Sequence, residues 1–441
     1  MVLLSGAVRL LSSLLPAQAA GSAAHGDSGA TLVLALAVIL AAAKLGGHLA
    51  ERLGQPAVLG ELLAGVLLGG LDLAGVVWFR ALTTDLTLDG LARIGVVILL
   101  FEVGLESTVS DMKKVGWRAF SVATLGVVTP WLLGWGVGAL LLPQHSVYVH
   151  IFLGATLTAT SVGITARVLR DLGRANSAEA RIILGAAVID DVMGLVILAV
   201  VGSLIQAADL NVSLSFLSIG WLVVKAVGFL FGALWLGGRV SPLLFGLTAR
   251  LRGTSLLLVT ALVFCFLLAA AAAAIGLAPI VGAYAAGLIL EKVHYRDFAG
   301  RGEHELEELV KPISGFLVPI FFVLMGMRVD LRALGDTSHL GLMAALIVAA
   351  IVGKQACALG GLGGGLDKLS IGIGMIPRGE VGLIFASIGL GLMVHGERIV
   401  DAGIYSTVVV MVMVTTIVTP PALKWSLDRW DRRGRGGSGG G

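Results

Sequence analysis

The chain has 441 residues, of which 57% are hydrophobic and 13% charged, with a net charge of +3. Its mean hydropathy is +0.97. Soluble domains average about 45–50% apolar and about 25% charged residues, so so little charge excludes a water-soluble enzyme.

The charge excess is also too small to suggest a nucleic-acid partner. Cys265 and Cys357 lie in apolar runs and read as small core residues, with neither a disulfide framework nor a zinc site.

Residues 1–29 form a segment of their own. They carry one early basic residue, Arg9, and a short apolar run ending at Ala17-Gln18-Ala19. Two readings stand, a weak signal peptide and a disordered segment outside the membrane. Apolar stretches then recur at 30–50, 56–76, 91–106, 118–142, 150–169, 182–205 and 214–238. They continue at 254–274, 277–290, 312–327, 340–360, 371–394 and 402–422. A membrane helix takes about 20 apolar residues, so an all-α polytopic membrane protein with about thirteen spans is expected over 30–422. The eighth and ninth stretches meet at Gly276, where one long re-entrant element competes with two helices. Residues 423–441 are basic and glycine-rich and read as a disordered tail.

Basic residues set orientation, because loops rich in Lys and Arg stay in the cytoplasm. Lys424, Arg429, Arg432, Arg433 and Arg435 place the C-terminus inside. Thirteen spans then place the N-terminus outside. Alternate loops agree: Arg52, Lys113, Lys114, Arg118, Arg170, Arg174, Arg181, Arg250, Arg252, Lys292, Arg296, Arg301, Lys311 and Lys368 fall inside. Arg80, Arg328, Arg332 and Arg398 fall outside.

The second and ninth stretches repeat each other. Gly54-Gln55-Pro56-Ala57-Val58-Leu59-Gly60, then Ala64-Gly65, matches Gly276-Leu277-Ala278-Pro279-Ile280-Val281-Gly282, then Ala286-Gly287, at an offset of 222. Seven spans separate the copies, so they lie in opposite orientations. Inverted repeats mark secondary transporters. The expected halves are 30–205 and 254–422, joined by a linker helix at 214–238.

A charge inside a membrane helix is costly and points to function. Asp190-Asp191 sits a third to halfway along the sixth stretch. Neighbours on a helix diverge by about 100°, so both carboxylates can face one polar cavity without sharing a bond. Such a pair holds either a proton or a small cation, and that competition is the essence of exchange. Thr158-Ala159-Thr160-Ser161-Val162-Gly163-Ile164-Thr165 interrupts the fifth stretch with hydroxyls and a glycine. Unwinding there would free carbonyls for a dehydrated ion. Hydroxyls bonded back to their own helix are the alternative. Lys354, deep in the eleventh stretch, is expected to pair with Asp190 or Asp191. In the twelfth, Met375-Ile376-Pro377-Arg378-Gly379-Glu380 breaks the helix beside opposite charges. Arg378 and Glu380 are expected to support a crossing of the two broken helices rather than bind the ion. Glu61, Glu102, Arg93, Lys44 and Arg167 read as packing pairs or interfacial anchors. There is no Walker loop and no dinucleotide fingerprint, and no cofactor is expected.

These motifs together resemble the Kef-type monovalent cation:proton antiporters, and within them the NapA-like sodium/proton branch. The residues that carry the resemblance are the run from Pro56 to Gly65, TATSVGITARVL, Asp190-Asp191, Gly353-Lys354 and IPRGEVGLI. It covers about 30–422. It implies an NhaA-like antiporter fold in a bacterial inner membrane, as a homodimer. A rigid dimerisation domain would accompany a six-helix core that moves like an elevator. The fifth and twelfth helices would be the crossed, unwound pair. Asp191 would be the ligand for Na⁺ and carrier of the proton, Asp190 the partner of Lys354, with Thr160 and Ser161 at the crossing. Two carboxylates with a lysine resemble the electrogenic members, which exchange more protons than sodium ions. Two departures from potassium-efflux relatives are expected, no C-terminal nucleotide-binding domain and a second aspartate where many of them carry a non-acidic residue. Potassium/proton exchange, and sodium-coupled symport of an organic anion on a similar fold, stay open as alternatives.

Overall fold

The computed structural model describes residues 28–106, 116–172, 174, 177–209, 216–248, 255–290, 305–332, 337–361, 366–394 and 396–437. Helices come in the order α1 (Ser28–Arg52), α2 (Ala57–Gly70), α3 (Trp78–Leu82), α4 (Leu86–Glu106) and α5 (Gly116–Leu141). There follow α6 (Val147–Thr156), α7 (Val162–Asp171), α8 (Ala178–Asp209), α9 (Phe216–Thr248), α10 (Leu256–Ala274) and α11 (Pro279–Ile289). The last are α12 (Leu306–Met327), α13 (Thr337–Gln355), α14 (Cys357–Gly360), α15 (Lys368–Gly374), α16 (Gly379–Leu390) and α17 (Ala402–Gly437). A short antiparallel pair, β1 (Met393–Val394) and β2 (Glu397–Arg398), sits between α16 and α17.

Among the described residues, nine helices are long and apolar enough to cross a membrane. The chain is therefore a helical polytopic membrane protein. The fifth and twelfth apolar stretches are each split into two short helices, α6–α7 and α15–α16. The ninth is the short α11, and the third, α4, carries Asp89, Arg93, Glu102 and Glu106.

The chain forms two compact units. One holds Met1–Ile94 with Phe316–Asp330, and the other Gly95–Gly315 with Leu331–Gly441. In the first, Gly54 takes φ +70° and turns α1 into α2, which opens after the extended Pro56. In the second, Gly276 takes φ +81° and turns α10 into α11, with Pro279 at the helix start. Glycine tolerates positive φ, and a proline in the first turn forgoes no intrahelical bond. The chain around Gly276 thus makes two helices, not one re-entrant element.

Close backbone contacts repeat at the same offset of 222. A Cβ on Gly60 would lie 2.0 Å from Gly46 O, and one on Gly282 would lie 2.1 Å from Leu268 O. In the first unit Gly65 packs on Val323, at 2.1 Å from its carbonyl oxygen. In the second Gly287 packs on Phe101, at 2.2 Å. Small residues let membrane helices touch backbone to backbone.

Three expectations change. The segment after residue 422 is not disordered as far as Gly437, because α17 runs on through Pro420 and Pro421. Leu423 and Leu427, one turn apart, are buried against Leu169, Ala180, Ile373 and Ile376. That apolar stripe is masked in the composition by flanking arginines and glycines. The eleventh stretch is interrupted at Ala356, so that Lys354 sits in the last turn of α13 while lying inside the apolar span His339–Gly360. The helix expected at 214–238 runs further, to Thr248. The readings placed on residues 1–27, on the basic residues at 107–115 and 291–304, and on the side chains of Arg167, Arg170 and Glu380 lie outside the described residues.

Candidate functional site

Two interrupted helices meet in the second unit. Helix α6 stops at Thr156 and α7 starts at Val162, while α15 stops at Gly374 and α16 starts at Gly379. Helix ends leave backbone groups without intrahelical partners, and here each break serves the other. The Ser161 N–H donates to Pro377 O at 2.7 Å. The Thr160 hydroxyl donates to Met375 O at 3.3 Å, and that of Thr165 to Gly374 O at 2.6 Å. Gly379 has φ +41°, and a Cβ there would lie 2.5 Å from the Ser161 side chain. Only glycine fits both the angle and the space.

Lys354 reaches this crossing because α13 and α5 approach closely. A Cβ on Gly126 would meet Cys357 Sγ at 2.7 Å, and one on Gly353 would meet Pro130 Cα at 2.9 Å. The Lys354 ammonium donates to Thr158 O at 2.7 Å and to Asp190 Oδ1 at 3.2 Å. Lys354 and Asp190 are both fully buried. Asp190 Oδ2 makes no hydrogen bond among the described residues. Thr160 lies within hydrogen-bonding reach of the same carboxylate. Arg378 is also fully buried. Its Nη1 donates to Ala159 O at 2.8 Å and its Nη2 to Ala350 O at 3.1 Å. Two cations therefore sit on carbonyls just beyond the C-terminal end of α6, where the helix dipole is negative.

The next residue on α8, Asp191, is 7% exposed against 0% for Asp190. It faces about 100° around the helix. The structure thus brings Asp190, Thr160, Ser161, Lys354 and Arg378 together, with Asp191 adjoining them. Glu380 is the second residue of α16. Sequence reasoning did not single out Thr165 as a bridge, nor the carbonyls of Ala159 and Ala350. Main-chain acceptors carry no residue-type signal. With Asp190, Asp191, Lys354 and Arg378 ionised, the set is electrically balanced.

The family pattern described as "Sodium/hydrogen exchanger, transmembrane" matches residues 34–429. The chain belongs to the sodium/hydrogen exchanger family. That family consists of membrane transporters rather than enzymes. Among its relatives, the high-affinity Na(+)/H(+) antiporter NhaS3 of Synechocystis sp. is 38% identical over 429 residues, covering 90% of this chain and 89% of the relative. The Na(+)/H(+)-K(+) antiporter GerN of Bacillus cereus is 33% identical, covering 90% and 96%. The solved sodium proton antiporter MjNhaP1 of Methanocaldococcus jannaschii has the same fold. Its TM-score is 0.64 at 16% identity, with coverage of 90% of this chain and 97% of that one.

Proposed function

We propose that this exchanger is a secondary-active antiporter that trades Na⁺, or Li⁺, for protons across a bacterial inner membrane. The observation that carries the reading is the buried carboxylate pair on α8, whose first member shares Lys354 with the open carbonyl of an interrupted helix. The names of the relatives support sodium/proton exchange.

In this reading Asp191 takes the cation and the proton in turn. Asp190 stays with Lys354, and Thr160 and Ser161 offer oxygens at the crossing. Arg378 holds the α6–α7 break open by occupying Ala159 O, and Glu380 supports the same crossing. The set of two carboxylates and a lysine resembles that of electrogenic exchangers, and on that likeness exchange is read as electrogenic. The glycine contacts repeated at 222 support two inverted repeats, about 30–205 and 254–422, in an NhaA-like fold with thirteen spans. In its motif set the chain resembles the Kef-type, NapA-like exchangers. It works as a homodimer, with the N-terminus outside and the C-terminus in the cytoplasm.

Proteoliposomes carrying Asp191→Asn should lose cation-dependent proton movement while keeping folded protein. Normal exchange in that variant would sink the site assignment. An exchange rate indifferent to an imposed membrane potential would sink the electrogenic reading. Potassium/proton exchange is the second reading, favoured by the GerN relative's name. Competition between Na⁺ and K⁺ in the same vesicles separates the two.

A further inference from the structure

A second buried polar cluster lies outside the crossing. Asp367 precedes α15 and is 1% exposed. Its Oδ2 accepts from the Ser370 hydroxyl, one turn into α15. The Ser426 hydroxyl, on α17, lies 2.9 Å from Ser370 Oγ and 3.3 Å from the same carboxylate oxygen. Ser370 and Ser426 are both fully buried. Arg429, one turn further along α17, approaches Asp367 Oδ1 at 3.5 Å. The Asp367 N–H donates to Glu179 Oε1 at 3.2 Å, in the first turn of α8. Arg174, between α7 and α8, pairs with Asp431 of α17.

A charge this deeply buried must be compensated, and here the donors to the carboxylate come from two elements, Ser370 on α15 and Ser426 and Arg429 on α17. Asp367 thereby ties α15 to α8 and to the terminal turns of α17. Helix α15 has seven residues, so it is a rod of about 10 Å. Its far end carries the carbonyls of Gly374 and Met375 that receive Thr165 and Thr160. A displacement at Asp367 is transmitted along that rod to the crossing, since a seven-residue helix has no room to bend.

We infer that Asp367 is a positioning residue for the cation site, acting through α15, and that the Ser426–Asp431 part of α17 is the clasp that holds it. The inference rests on the crossing being the cation site. It gives the terminal extension of α17 a role in transport.

The test uses the full chain in proteoliposomes, with Asp367→Asn, Arg429→Gln and the double variant. Two quantities are read, the KM for Na⁺ against the maximal rate, and hydrogen exchange of the α15 amides. Each single variant should raise KM about 3–10-fold with the maximal rate within about 2-fold. The double variant should be no worse than the worse single one, because both remove one interaction. Amides of α15 should exchange about 10-fold faster in all three. Unchanged KM, unchanged exchange, or effects that multiply in the double variant would overturn the inference. Arg429 is 28% exposed, so Arg429→Gln carries the comparison by itself if Asp367→Asn does not fold. Failure of the site reading is told apart by Asp191→Asn: normal transport there refutes the cation site, while the exchange of the α15 amides still tests the clasp.

Discussion

Lys354 on α13 holds Asp190 on α8 at 3.2 Å while it spends a shorter bond, 2.7 Å, on Thr158 O. One ammonium thus joins a carboxylate to the break between α6 and α7. Removing either partner leaves a charge buried without its counter-ion, which costs about 3–5 kcal/mol. Asp190→Asn and Lys354→Gln should each lower thermal stability by that order. The double variant removes both charges and should recover most of the loss. Unfolding followed by tryptophan fluorescence in detergent reads all three. Additive losses in the double variant would show that the two residues do not act as a pair.

Gly379→Ala should be damaging out of proportion to one methyl group. The residue sits at φ +41°, and the new Cβ would meet Ser161 at 2.5 Å. Backbone strain of this kind costs about 1–3 kcal/mol. Ser161 must then move, and its N–H bond to Pro377 O moves with it. Transport should fall at least about 10-fold, more than stability alone accounts for. Gly90→Ala is the control, since a Cβ there meets nothing within 4 Å. Similar transport in the two variants would refute the steric argument.

Asp89 stands before the apolar part of α4 and pairs with Arg328 at 2.7 Å and Arg93 at 2.6 Å. Partial burial works to raise its proton affinity. The hydrogen bonds and charges of Arg328 and Arg93 outweigh it and hold the carboxyl below its usual 3.8. A carboxyl lowered on folding stabilises the protein above its unfolded value, and that contribution is lost as pH falls through the folded value. Asp89→Asn should therefore be less stable than the parent at pH 7. The gap should begin to narrow below about pH 4, where the unfolded chain takes up its proton, and close as pH falls through the lower folded value. Melting curves of both proteins at pH 7 and below pH 4 check this, and a constant gap would refute the pairing.

Much of the site was legible because charge is scarce in this chain. Asp190, Asp191, Lys354 and Arg378 are conspicuous in apolar stretches, and the structure gathers them at two broken helices. The turns at Gly54 and Gly276 were equally legible, since glycine and proline recur there in register. The Lys354 contact with Thr158 was not, because a carbonyl acceptor is the same for every residue type. Nor was the end of α17. Leu423, Ser426 and Leu427 form a buried stripe there, but arginines and glycines dominate the composition of that segment. Asp367 was not legible either, as a charge at the edge of a glycine-rich stretch that meets Glu179 far earlier in the chain and Ser426 and Arg429 on α17.

Thr160 and Thr165 separate support of the crossing from contact with the ion. Thr165 gives Gly374 O a 2.6 Å bond, whereas Thr160 reaches Met375 O at only 3.3 Å. Valine keeps the shape of threonine and removes the donor, and a lost hydrogen bond costs about 1 kcal/mol. If crossing support were the sole role of both, Thr165→Val should be the more destabilising and the more harmful to transport. Thr160 also lies within reach of Asp190, beside the proposed cation ligand. Thr160→Val should therefore raise KM for Na⁺ more than Thr165→Val does, while lowering the melting temperature less. Measuring both quantities for both variants decides the matter. A KM ranking that follows the melting ranking would reduce Thr160 to a structural bridge and leave the carboxylates alone at the site.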